Sequence, residues 1–485
     1  MQVTDRERGA LFALRAGRLR NAAAELLRGL SLLQHRGRES CGLIVGRGDA
    51  FRACAGVGTV AEGLDEQALA SLGVGRCAAG YVRGVGAASA FVAEHAALVL
   101  EGYLTNGDKL REVLAGRGVF CRTAEDAEAV CRLWLSARNE GASEREALVQ
   151  TLRRLQGAFA LVLLTADELL AARDPRGACP LCIGELPDGG YAFASESCAL
   201  DGGGLPFLRD VAPGELVAAG DGGLETLLPP SDRGRALCAL ELLAAARADS
   251  VLDGVAVSSL RGRAGSLLAL EHAVRGDVVA ALPGAEADAA LGYAQQSGIP
   301  FVNAFVENRY VSGFFAACPA RGFNPVAAAV RGKRVVLVGD RVNGQAVALL
   351  RGCGAREVHL RVMLPICPHP CRFGGAPQPE EPPAPAGEAD EPAPDPDAGK
   401  HAFEVFCDCL MLDENLIAYL IDVLKANDRA GFYKLSQVTT HLDLDPDEFL
   451  YWLAHREDYA ETDEERACAV ILDTCLDRLR AEGQM

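Results

Sequence analysis

Two patterns of residues in this sequence could do chemistry. One is VVLVGDRVNGQAV, residues 335–347, an apolar run that passes into a short polar loop and then into a helix-compatible segment. A strand ending in such a loop presents backbone N–H groups at the start of the following helix, where the peptide dipoles favour an anion, so this is where a phosphate would sit. The other is cysteine, of which there are seventeen in 485 residues. Cys179 and Cys182 form a Cys-Pro-Leu-Cys pair, but two thiolates are half of what a structural zinc ion needs. The ordinary role of such a thiol is that of a small buried apolar side chain.

The elements that must position these residues have three textures. Residues 40–230 carry short apolar runs (CGLIVG, AALVLEG, GAFALVLL, GYAFAS) bounded by Gly and Asp, which predicts strands and hairpins in a mixed or antiparallel arrangement. From about 235 to 365, strand-like runs (GDVVAALPG, IPFVNAFV, KRVVLVGD, REVHLRVMLP) alternate with helical ones (SSLRGRAGSLLALEHAV, ADAALGYAQQSG, NGQAVALLRGCG). That alternation predicts a parallel α/β sheet. Residues 376–400 are rich in Pro and acid, with no aliphatic side chain larger than Ala, and read as a disordered, self-repelling linker. Residues 401–485 read as a helical tail, with ENLIAYLIDVLKA and DPDEFLYWLAHRE both amphipathic. The expected divisions are therefore 1–230, 231–375, 376–400 and 401–485.

The formal charge of −18 argues against nucleic acid as a partner, because phosphate neutralisation needs clustered Lys and Arg. No apolar run reaches the 18 or so residues a spanning helix needs, and MQVTDRERGALFALR lacks the apolar centre of a signal peptide. The expectation is a cytoplasmic protein, away from membranes, with reduced thiols.

Several stretches, in order, resemble the glutamine phosphoribosylpyrophosphate (PRPP) amidotransferase, or amidophosphoribosyltransferase, family of purine synthesis. They are LLQHRGRESCGLIV (32–45), GYVRG around Arg83, GYLTNGDKLREVL from Gly102, AEDAEAV with Asp126, GAFALVLLTADELLAARDPRGACPLCIG, and FASESCALD (193–201). ADSVLDG, AALGYAQQSGIPF, ENRYV and FNPV then precede the opening strand and loop. The resemblance implies a four-layer αββα glutaminase domain of the N-terminal-nucleophile (Ntn) hydrolase type, followed by a phosphoribosyltransferase-type parallel α/β domain. In such an enzyme an N-terminal Cys attacks the glutamine amide, and the ammonia released displaces diphosphate from an activated ribose.

The residues that chemistry requires do not all match. The family's nucleophile falls on Arg8 or Gly9, and the first Cys in the sequence is Cys41; Thr4, a conceivable substitute, lies upstream of the matching strand. The family's oxyanion donor, an Asn before Gly, falls on Glu101 before Gly102. An ionised carboxylate cannot donate and repels a developing negative charge. Arg83, Gly102 and Asp126 remain as a glutamine-binding remnant. In the phosphate loop only Asp340 and Gly344 match the family, as a PRPP-binding remnant, with Asn343, Gln345 and Ala346 in altered places; in the diphosphate loop Gly284, Ala285 and Glu286 replace its Asp, Ser and Gly. Asn308, Arg309, Tyr310, Asn324 and Pro325 match. With so few oxygen ligands left, Mg2+ is not expected.

Some members of the family carry a 4Fe-4S cluster. By resemblance Cys238 and Cys371 fall on two of its ligand positions, with Cys407 and Cys409, or Cys468 and Cys475, as weaker candidates for the other two. The reading of the whole is a homo-oligomeric family member with both active sites degraded, serving as a binding or regulatory protein for an amino acid or a phosphorylated sugar. The alternative is an ammonia-dependent or otherwise active phosphoribosyltransferase.

Overall fold

The computed structural model describes residues 9–84, 88–282, 284, 286–307, 323–340 and 343–364. The linker 376–400, the tail 401–485, Thr4, Arg8, Ala285, Asn308, Arg309 and Tyr310 lie outside the described residues.

Two antiparallel sheets dominate the first 230 residues. One has seven strands in the order Phe207–Asp210, Cys182–Glu185, Tyr191–Ala194, Ala10–Arg20, Gly75–Arg83, Ser40–Arg47, Ala50–Val57. The other has six, in the order Gly223–Leu228, Leu216–Gly220, Leu169–Arg173, Gly157–Leu164, Ala97–Leu104, Ala88–Val92. Their central strands are buried on both faces, which is why they read as continuous apolar runs. Within ALFAL, Phe12 and Leu14 face a helix-side core, while Leu11 and Ala13 face the other sheet. Within GAFALVLL, Phe159, Leu161 and Leu163 face helices, while Ala158, Ala160 and Val162 face between the sheets. Helices Ala23–Leu32 and Ser197–Gly203 cover one outer face, and Asp126–Asn139 and Glu144–Leu152 the other. Three apolar cores thus separate four layers, the αββα arrangement that the resemblance implies.

From residue 257 the architecture changes. A parallel sheet in the order Val278–Ala280, Arg334–Gly339, Glu357–Val362 carries helices on both faces. Val336 and Val338 pack against helix Glu286–Ser297, and Val335 and Leu337 against helix Gly344–Gly352. The stretch IPFVNAFV departs from the expected parallel strand. It meets Val279 only around Phe301, and then Phe305–Glu307 pairs antiparallel with Phe323–Pro325. Pro300 has no N–H to extend the ladder, and Ala304 gives its carbonyl to Val326.

Candidate functional site

The junction between the two architectures is built of buried charge. Gly9 precedes strand Ala10–Arg20; the resemblance assigns the nucleophile to it or to Arg8, which lies outside the described residues. The Gly9 N–H donates to the Arg36 carbonyl at 2.8 Å, and its own carbonyl accepts from Arg36 Nε at 2.8 Å. Its φ is +64°, and a Cβ there would stand 2.6 Å from Ala88 Cβ, so no side chain fits without shifting the neighbouring strand.

Arg36 ends the 3-10 turn Gln34–Arg36 and is fully buried. Its Nη2 donates to Glu101 Oε1 at 2.7 Å, and its Nη1 donates to Glu196 Oε1 at 2.8 Å and to Glu241. Glu101 Oε2 also accepts from Ser195 Oγ, which in turn accepts from Leu11 N–H at 2.9 Å. Glu196 Oε2 takes the Arg247 N–H at 2.9 Å and the Ser250 hydroxyl at 2.7 Å, and His35 Nε2 lies 2.8 Å from Glu196 Oε1. One guanidinium therefore faces three buried carboxylates, from strand Ala97–Leu104, the start of helix Ser197–Gly203 and the π-helical turn Glu241–Ala245.

Burial pushes the Glu101 carboxyl up to about 7 despite Arg36 and Ser195. Burial also opposes the charge on Glu196, but hydrogen bonds from His35 and Ser250 and the charge of Arg36 outweigh it and hold that carboxyl well below its usual range. Desolvation opposes the charge on Arg36 too, and the surrounding Glu241, Glu101 and Glu196 raise it well above its ordinary value.

The other glutamine-side candidates are internally engaged. Arg83 Nη1 donates to Glu125 Oε1 at 2.7 Å, a half-buried pair. Asp126, the first residue of helix Asp126–Asn139, accepts from Arg111 Nη1 and from Leu104 N–H, each at 3.1 Å. Gly102 has φ +106°, and a Cβ there would stand 2.2 Å from the Ala158 carbonyl oxygen. The fold brings Arg83 to the residue before Asp126, and both already have partners.

In the second half Asp340 is buried directly after strand Arg334–Gly339, and Gly344 opens helix Gly344–Gly352. Asn343 caps that helix, its Oδ1 accepting the Ala346 N–H at 2.9 Å. The cap takes one of the N–H groups that an anion would use. Glu286 opens helix Glu286–Ser297, and Asn324 and Pro325 lie in the two-stranded ladder. Asp340 is the one carboxylate of this loop, which does not fit the oxygen-rich shell that Mg2+ prefers.

Cys238 is half-buried, and its carbonyl accepts from Leu242 N–H at 3.2 Å. Cys371, Cys407, Cys409, Cys468 and Cys475 lie outside the described residues. Among the described residues no group of three or more His, Cys, Asp or Glu could hold a metal ion. Cys182 is fully buried; its Sγ donates to the Ala194 carbonyl at 3.2 Å, and burial raises its thiol well above the ordinary value. A neutral, donating thiol is a packing residue, not a ligand.

Residues 87–202 match the family model described as a glutamine amidotransferase domain. The chain is 34% identical over 371 residues to the amidophosphoribosyltransferase of Bacillus subtilis, spanning 71% of this chain and 77% of that one. The chain belongs to the amidophosphoribosyltransferase family. The Methanocaldococcus jannaschii amidophosphoribosyltransferase is 33% identical over 394 residues, or 73% of this chain and 83% of that one. The B. subtilis glutamine PRPP amidotransferase solved in complex with ADP and GMP matches at TM-score 0.67 and 32% identity, over 76% of this chain and 84% of that one.

Within this amidophosphoribosyltransferase scaffold, the residues at the centre of the junction are ones that reading the sequence for catalytic groups passes over. Arg36, Ser195 and Glu196 sit inside LLQHRGRESCGLIV and FASESCALD, and Glu241 inside LCALELLAA, polar or charged residues flanked by apolar ones. That embedding is the signal, since a charge in such a setting must find a partner. Which partners meet depends on contacts across 65 to 205 residues.

Proposed function

We propose that this chain is a non-catalytic member of the amidophosphoribosyltransferase family, a cytoplasmic binding or regulatory protein on the scaffold of a purine-synthesis enzyme. Glu101 carries the reading. Where the family resemblance calls for a donor to a developing oxyanion, a buried carboxylate accepts from Arg36 and Ser195. Losing one such donor typically costs on the order of 100-fold or more in rate. Neither Arg8 nor Gly9, between which the resemblance leaves the nucleophile's place, carries a thiol, which supports the same conclusion. Arg83 would have to leave Glu125 before gripping an amino-acid carboxylate. The self-capped start of helix Gly344–Gly352 supports a weakened PRPP site.

The test is chemical. The purified full chain is incubated with glutamine, and separately with phosphoribosyl diphosphate and ammonia. No ammonia release and no 5-phosphoribosylamine are expected. Turnover of glutamine at an ordinary enzymatic rate would overturn the first half of the proposal, and phosphoribosylamine formation the second. Calorimetry with each compound then reads binding without turnover, and light scattering reads the homo-oligomer that belongs to the same proposal.

A further inference from the structure

We propose that Glu101, Ser195 and Arg36 form a proton-controlled clasp between the two-sheet body and the segment that leads into the parallel sheet. The segment from Cys238 to Ala256 is held to the body at several places, among them Arg247 Nη1 on the Leu32 carbonyl at 3.0 Å and the Val251 N–H on Ser197 Oγ at 2.8 Å. Arg36 reaches Glu241, Glu196 receives the Arg247 N–H and the Ser250 hydroxyl, and Arg173 binds Asp253 through two hydrogen bonds of 2.8 Å each. In the contact of Arg36 with Glu241 the cation is shared with Glu101, whose charge can change without movement of a heavy atom.

The geometry around Ser195 accommodates both states. With Glu101 ionised, the Ser195 hydroxyl donates to Glu101 Oε2 while accepting from Leu11 N–H at 2.9 Å. With a proton on Glu101 Oε2, the carboxylic acid donates to Ser195 Oγ, and the serine turns its own hydrogen to the Leu11 carbonyl at 3.3 Å. Each donor and acceptor is satisfied in either state, so no heavy atom need shift. The charges differ. In the first state one guanidinium serves three carboxylates; in the second it serves two ionised ones, Glu196 and Glu241, and the attraction across the junction to Glu241 strengthens.

The titratable and charged groups on this cluster are Arg36, Glu196 and Glu241, with His35, Arg247 and the Cys198 thiol behind Glu196. The strands flanking Glu101 bring Ala88 and Ala160 opposite it, and strand Ala10–Arg20 meets Ser195 through Leu11, all uncharged. A second carboxyl near the junction, Asp210 beside the Arg173 and Asp253 pair, is also pushed up by burial and by Asp253, to about 6, and is therefore a rival source of pH dependence.

The sign follows from the raised Glu101 carboxyl. A group whose folded-state value lies above its unfolded one contributes stability that is fully present below the unfolded value and is lost as pH rises through the folded one. The window here runs from the ordinary 4.5 to about 7. The clasp is therefore tighter at pH 6 than at pH 8, whatever the second half of the chain binds.

Hydrogen exchange followed by mass spectrometry on the full chain tests this. After correction for intrinsic exchange rates, wild-type peptides covering 238–250 should be better protected at pH 6 than at pH 8, by at most about tenfold, since only the Glu241 part of the shift is lost when this segment opens. Glu101→Gln, which keeps the shape and the bond to Ser195, should remove the difference, while Asp210→Asn and His35→Gln should retain it. A pH-independent wild type overturns the proposal, as does a difference that survives Glu101→Gln or disappears in either other variant. A second measurement needs no variant to fold: difference infrared spectroscopy of the wild type should develop the carbonyl band of a buried protonated carboxyl between pH 8 and pH 6. Absence of that band equally overturns the clasp.

Discussion

The two candidate sites of this chain are built in opposite ways. At the junction the space is filled: a guanidinium, three carboxylates, a serine and a histidine satisfy one another inside apolar surroundings. At the start of helix Gly344–Gly352 the site is thinned, with one buried carboxylate in Asp340 and a helix end that caps itself through Asn343. Buried charges bind one another cooperatively and are costly to separate, so a filled site becomes part of the fold. A thinned site costs the fold little and can be altered cheaply. The two sites should therefore answer substitution with losses that differ by several kcal/mol.

The largest effect should follow removal of the cation at the centre of the filled site. Arg36→Leu leaves Glu101, Glu196 and Glu241 without their shared partner, and breaking a buried pair in this way costs about 3–5 kcal/mol. Denaturant unfolding should show that loss, and a cost below about 1 kcal/mol would mean that the junction tolerates its charges unpaired. Next comes Arg173→Lys. The fork of Arg173 holds Asp253 twice and also donates to the carbonyls of Cys179, Gly177 and Val211. A lysine cannot reproduce that geometry, and a loss of about 2–3 kcal/mol is expected, near the worth of hydrogen bonds to charged groups.

The sequence made the scaffold legible where side chains alternate or repeat. Runs such as ALFAL and GAFALVLL dictate two-sided burial, and the alternation from residue 257 onward dictates a parallel sheet. It failed at IPFVNAFV, because the parallel pairing with Val279 ends at Val302 and the pairing of Phe305–Glu307 with a distant strand carries no local mark. At the junction the sequence shows that Glu101 is a carboxylate before a glycine, whereas the destination of its charge was not legible. Arg36, Ser195, Glu196 and Glu241 come from four separate segments, and their meeting is a property of sheet register and layer packing. The partners of Arg83 and Asp126 were hidden for a related reason. Glu125 and Arg111 sit among many similar exposed charges, and only the start of helix Asp126–Asn139 selects them.

The thinned site should yield a smaller number. Asn343→Ala removes the side chain that accepts the Ala346 N–H, and loss of such a cap costs about 1 kcal/mol. The loss should be confined to the second half of the chain, seen as faster exchange in 344–352 with the two-sheet body unchanged. A cost comparable with that of Arg36→Leu would erase the distinction between filled and thinned sites.

The smallest effect sharpens the comparison at the edge of the filled site. Arg83 and Glu125 form a pair whose side chains are 30% and 35% exposed. Solvent screens such a pair and ordering two long side chains opposes it, so Arg83→Ala should cost only about 0.2–1 kcal/mol in denaturant unfolding. What separates an internal pin from a recognition group is the second readout. If Arg83 is committed to Glu125, the calorimetric response to glutamine is the same in wild type and variant. If Arg83 instead trades Glu125 for the carboxylate of an incoming amino acid, the wild type gives heat that the variant abolishes. The geometry favours the first outcome: at 2.7 Å the guanidinium already has a carboxylate, and an incoming ligand would gain only the difference between two similar bonds.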